Sequence, residues 1–61
     1  MLKKLREKKG LSQSGLARAS GVSVRMIQHY EQGSKDIKKA NVMTVIKLAD
    51  ALGVDVREVV K

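Results

Sequence analysis

Sixty-one residues leave room for one small domain, because a chain this short buries only about 60% of the surface its unfolded form exposes. With no cysteine it has neither a disulfide framework nor a thiolate zinc site, so packing, a partner or both must hold it, and a reducing compartment is expected. The formal charge of +7 is unevenly placed: residues 1–39 carry ten Lys or Arg against three acids, whereas residues 40–61 carry three of each.

A polyanion facing the first two-thirds of the chain accounts for that asymmetry. A solvated surface that only promotes solubility accounts for it too, and charge alone does not separate them. No run approaches the roughly 20 apolar residues that span a bilayer, and "MLKKLREKKG" lacks the apolar core of a signal peptide. A cytoplasmic protein without a membrane partner is expected. There is no internal repeat, no low-complexity segment and no proline, so residues 1–61 are read as a single domain.

Glycines and capping residues divide the chain into five short helical segments. Leu2 and Leu5 lie three apart on a charged stretch, and Gly10 suits the left-handed position that closes a helix, so residues 2–9 form helix one. In "LSQSGLARASG", Ser12 caps the second helix, Leu11 and Leu16 form a hydrophobic staple, and Leu16, Ala17 and Ala19 give a narrow apolar side up to Gly21. The grammar repeats in "VSVRMI": Ser23 caps, Val22 and Ile27 staple, and helix three runs to about Gln32 before Gly33. After the polar loop "SKDIKK", where Ile37 is expected to tuck against helix four, Asn41 caps a stripe of Val42, Val45, Leu48, Ala49 and Leu52 that Gly53 stops. "VDVREVV" closes the chain with Asp55 as cap, Glu58 as its capping-box partner and a Val54–Val59 staple. No segment alternates with period two over a strand's length, so the fold class is all-α.

Helix three carries two faces. At 100° per residue Met26, Ile27 and Tyr30 share one side, while Arg25, Gln28, His29 and Gln32 share the other with Val24 at its leading edge. Arg can fork to guanine O6 and N7, Gln can pair with adenine N6 and N7, and Val can touch a thymine methyl. Any surface helix shows polar residues, so the face alone does not establish recognition. Its setting is more specific: a capped helix, a three-residue turn at "SGV" and a second capped helix make a helix-turn-helix, whose second helix enters the major groove.

The segment "LREKKGLSQSGLARASGVSVRMIQHYEQG" followed by "VIKLADALGV" resembles the lambda-repressor-like, Cro and repressor type of helix-turn-helix domain, the XRE family, over almost the whole chain. The resemblance implies a compact five-helix domain in which helices two and three form the helix-turn-helix. It implies binding to double-stranded operator DNA, commonly an inverted repeat, and usually as a homodimer. By it, Val24, Arg25, Gln28 and His29 face base edges, with a reading helix over about residues 24–32. Gln13 contacts a phosphate and braces that helix, and Gln32, Ser34, Lys35, Lys38 and Lys39 approach the backbone beyond it. Phosphate contacts set register and affinity, whereas base contacts set sequence preference. Arg6 and Glu31 are implied to form a structural ion pair. Two departures stand out: Gly15 replaces the Glu that often completes a capping box with Ser12, and "SKDIKK" lacks the common proline.

The remaining chemistry-bearing residues have plainer readings. His29 is the lone histidine, so no metal cluster and no His–Cys dyad can be built around it. Ser12, Ser20 and Ser23 read as caps and turn residues with no base placed to activate them. The five glycines are mostly helix punctuation, so there is no phosphate-cradling loop, no cofactor is expected, and the chain is read as a non-enzyme. Tyr30, the single aromatic, belongs with the core side, which disfavours single-stranded nucleic acid. Val56, Val59 and Val60 either complete the core or leave a small apolar patch for a twofold partner. A transcriptional regulator, a repressor in kind and bacterial or phage-encoded, is the leading expectation. An antitoxin-type module that binds a protein partner is the alternative, and helix one offers too small an apolar face for a membrane-surface anchor.

Overall fold

The computed structural model describes residues 2–60. Among the described residues the elements are all helical: α1 Leu2–Lys8, α2 Gln13–Ser20, α3 Val24–Gln32, α4 Val42–Leu52 and α5 Val56–Val59, with a 3-10 turn at Ile37–Lys39 between α3 and α4. They fold into a body of 25 × 22 × 19 Å.

Local chemistry sets the boundaries. Ser12 Oγ accepts from the Gly15 amide at 2.9 Å, Ser23 Oγ from Met26 at 3.2 Å, Asn41 Oδ1 from Met43 at 2.8 Å and Asp55 Oδ1 from Arg57 at 2.9 Å. Each bond satisfies an amide that the first helical turn leaves without a partner. At the end of α2, Gly21 adopts φ 77° and donates its N–H to the Ala17 carbonyl, a left-handed geometry that costs an L-residue about 1–2 kcal/mol. The turn into α3 is Gly21–Ser23, one residue later than "SGV", because Ser20 completes α2 and its Oγ accepts from the Val22 amide at 3.2 Å.

One side chain from each of four helices forms the centre of the core: Leu16, Ile27, Leu48 and Val59 are fully buried. Leu2, Val22, Val45, Ala49 and Leu52 enclose them. Val22 with Ile27 places the entry to α3, as the staple pattern requires, and Leu11 with Leu16 does the same for α2. Helix α2 packs on both α3 and α4, α4 carries α5, and α1 lies on α3. The helix-turn-helix is thus held from behind by the rest of the chain.

Other expectations need correction. Helix α1 ends at Lys8, although the Lys9 amide still donates to the Leu5 carbonyl at 3.1 Å. The polar loop contains a turn of 3-10 helix, which Asp36 caps by accepting from the Lys38 amide at 2.9 Å. Ile37 in that turn is half-buried against the core and lines a cleft with Leu2 and Tyr30. Val42 is 68% exposed: as the first residue of α4 it sits about 70° around the helix from the mean direction of Val45, Leu48, Ala49 and Leu52. Val59 cannot touch a partner, because it is sealed inside the core while Val56 remains exposed.

Candidate nucleic-acid interface

The sequence of α3 divides the helix as its periodicity requires. Ile27 is fully buried, and Met26 and Tyr30 are half-buried against the core. Arg25, Gln28 and Gln32 are exposed, and Val24 is partly so at the N-terminal edge. His29 lies at the margin of the two faces. Its Nδ1 is buried without a hydrogen-bond partner.

Behind this face a polar network joins three helices. Arg6 of α1 donates from Nε to Glu31 Oε2 at 2.7 Å, from Nη2 to Glu31 Oε1 at 3.2 Å and from Nη1 to the Leu11 carbonyl at 2.8 Å. Gln13 of α2 donates from Nε2 to Glu31 Oε1 at 3.0 Å, and its Oε1 accepts from Gln28 Nε2 at 3.4 Å. The Arg6 and Glu31 side chains are only 11% and 4% exposed. Burial alone pushes the Glu31 carboxyl up, but the hydrogen bonds from Arg6 and Gln13 and the fields of Arg6 and Lys3 outweigh it and hold the group below its ordinary value. The bond to Glu31 raises Arg6 against the opposing effect of its own burial. The pair is ionised across the ordinary pH range.

The other site residues named from the sequence are distributed around α3. Ser34, Lys35, Lys38 and Lys39 are exposed beyond its C-terminus. Lys35 and Lys39 line a cleft with Met26 and Tyr30, so they flank the helix on the side away from Gln28. Near the other end, Arg18 shares a cleft with Ser14, Ser23 and Val24. Sequence reasoning did not single out Arg18; its position one helix before "GVS", on a helix with no acid, was the available signal. It also missed the Leu11 carbonyl and the direct Gln13–Gln28 bond. Val56 is exposed and Val60 half-buried at the C-terminal end.

A capped second helix that shows solvent an Arg and two Gln, fixed to the first helix through side chains and backed by a shared core, defines a DNA-binding helix-turn-helix protein. The family model described as Helix-turn-helix matches residues 2–59. The chain belongs to that family, the XRE-type, lambda-repressor-like domains. No curated protein and no solved structure gave a match. Among the described residues, no helix is long and apolar enough to cross a membrane.

Proposed function

We propose that the protein is a sequence-specific double-stranded DNA-binding regulator, a repressor in kind, that inserts α3 into the major groove. The observation that carries this reading is the exposed Arg25–Gln28–Gln32 face on a nine-residue helix. Such a helix is about 13.5 Å long and 10–12 Å wide, which fits a groove about 12 Å across and covers about four base steps.

In that pose Val24, Arg25, Gln28 and His29 face base edges. Arg25 suits guanine, Gln28 adenine and Val24 a thymine methyl, while His29 brings a ring nitrogen to the margin of the same face. Gln32, Ser34, Lys35, Lys38 and Lys39 contact phosphates past the end of α3, and Gln13 does so with the amide hydrogen its internal bonds leave free. Arg18 adds a cation at the opposite end. A second copy, joined through Val56 and Val60, reads the other half of an inverted repeat, with residues 1–61 acting as one domain.

Selection of bound duplexes from a random pool at two salt concentrations tests the reading. An inverted repeat with half-sites about one helical turn apart is expected, with log affinity falling against log salt by about 0.9 per neutralised phosphate. Recovery of no motif, with all binding lost at the higher salt, would sink it.

A further inference from the structure

Gln28 has two ways of presenting its amide, and the network behind α3 permits one of them. Glu31, ionised and accepting two bonds from Arg6, has no hydrogen to give. It therefore takes an N–H from Gln13, which leaves the Gln13 carbonyl oxygen facing Gln28. That oxygen in turn accepts only a donor, so Gln28 must direct Nε2 inward. Flipping Gln28 alone would set two carbonyl oxygens against each other, and flipping Gln13 as well would set one against the Glu31 carboxylate.

We propose that Glu31, without touching DNA, is a positioning residue that fixes which base Gln28 selects, acting through Gln13. A carboxamide has one N–H trans to its oxygen and one cis to it. Under this proposal the trans hydrogen of Gln28 goes to Gln13 across the 3.4 Å contact, so that the oxygen and the cis N–H are left side by side for a base edge. That pair matches the N6 donor and N7 acceptor of adenine; guanine offers two acceptors there, cytosine a donor and thymine one acceptor beside a methyl. The inference rests on α3 being the reading helix, as proposed above, and adds the fixed polarity of its Gln28 amide.

The test compares the wild-type protein with Gln13→Met, which removes both bonds, and Gln13→Lys, which still gives Glu31 a donor but offers Gln28 no acceptor. Each is titrated with the selected duplex and with its three single-base variants at the base pair where Gln28→Ala loses preference. Wild type should favour adenine by about 5- to 150-fold, the range of a bidentate pair. Both Gln13 variants should reduce that ratio below about threefold and leave preferences at other positions unchanged. A Gln13 that only touches phosphate would instead weaken all four duplexes equally, and that result overturns the relay.

Side-chain NMR of the free protein separates the relay from the DNA reading. The Gln28 amide should show slowed exchange and a nuclear Overhauser effect to the Gln13 side chain, both lost in Gln13→Lys. Absence of these signals in wild type refutes the relay whatever the DNA result. Their presence beside sequence-independent wild-type binding refutes the reading of α3, and with it the selection of adenine.

Discussion

Replacing Arg6 by Ala tests the network where it bears the most energy. The substitution removes two charge-assisted bonds to Glu31 and one to the Leu11 carbonyl, leaving a carboxylate whose side chain is 4% exposed with Gln13 as its remaining donor in the network. Breaking one side of a buried pair costs about 3–5 kcal/mol, mostly because the surviving charge stays desolvated. Water entering the space left by the guanidinium offsets part of this, so about 3 kcal/mol is expected. A domain of this length has total stability of about 3–9 kcal/mol, so the loss removes at least a third of it. Urea unfolding followed by helical circular dichroism at pH 7 measures the difference. The sign of the pH dependence identifies the cause. Glu31 has a depressed carboxyl in the fold, so its contribution is fully present above the unfolded value of about 4.3 and is lost as pH falls through the lower, folded one. Arg6 stays protonated throughout. The gap between wild type and Arg6→Ala should therefore narrow in acid below about pH 4. A difference under about 1 kcal/mol at pH 7, or one that is the same at pH 3, would refute the ion-pair account.

Gly15 has a helical backbone, being absent from the positive-φ glycines, so Gly15→Ala should gain up to about 1 kcal/mol of helix propensity. Its new Cβ would lie 3.2 Å from Ser12 Oγ, so a net rise of about 0.5 kcal/mol in thermal unfolding is expected; a fall would show that the cap bond had been displaced. Lys38→Gln with Lys39→Gln should weaken binding to every duplex alike and reduce the log–log salt slope by about 0.9 per lost contact, read by titration at several salt concentrations. An unchanged slope would place both lysines off the backbone. Val59→Ala should cost about 2 kcal/mol of stability through lost burial and a cavity, whereas Val56→Ser should leave unfolding unchanged and weaken self-association in sedimentation. A Val56→Ser protein that dimerises as well as wild type would remove α5 from the proposed interface.

Much of the fold was legible because its determinants are local. Ser12, Ser23, Asn41 and Asp55 each cap within three residues of themselves, and the Leu11–Leu16 and Val22–Ile27 staples span five. Periodicity placed Ile27 inside and Arg25, Gln28 and Gln32 outside on the same helix. It misplaced Val42 because a stripe has width, and a residue at the edge of that width and at the helix end has no element above it. It left Val59 open between core and partner, since an apolar residue in a terminal turn has the same pattern in either case. The polar network was less legible still. Its bonds link residues separated by 25, 18 and 15 positions, and no periodicity connects them. The family resemblance supplied the Arg6–Glu31 pairing, but the direction of the Gln13 and Gln28 amides exists only once α1, α2 and α3 have been brought together.

That direction explains why position 13 carries glutamine and not another polar residue. The side chain must give a hydrogen to Glu31, accept one from Gln28 and, under the proposed function, keep a second hydrogen for a phosphate. Glutamate would place a second carboxylate at the 3.0 Å contact with Glu31, a like-charge clash in a partly buried site. Lysine would satisfy Glu31 but has nothing with which to accept from Gln28. Asparagine has the right groups on a stem one methylene shorter, and the Gln13–Gln28 contact is already 3.4 Å, near the limit of a useful bond. Only the longer carboxamide combines reach, two donors and an acceptor. Under the proposed function the side-chain bonds that link α2 to α3 also orient Gln28, and a change at position 13 should alter sequence preference before it alters the fold.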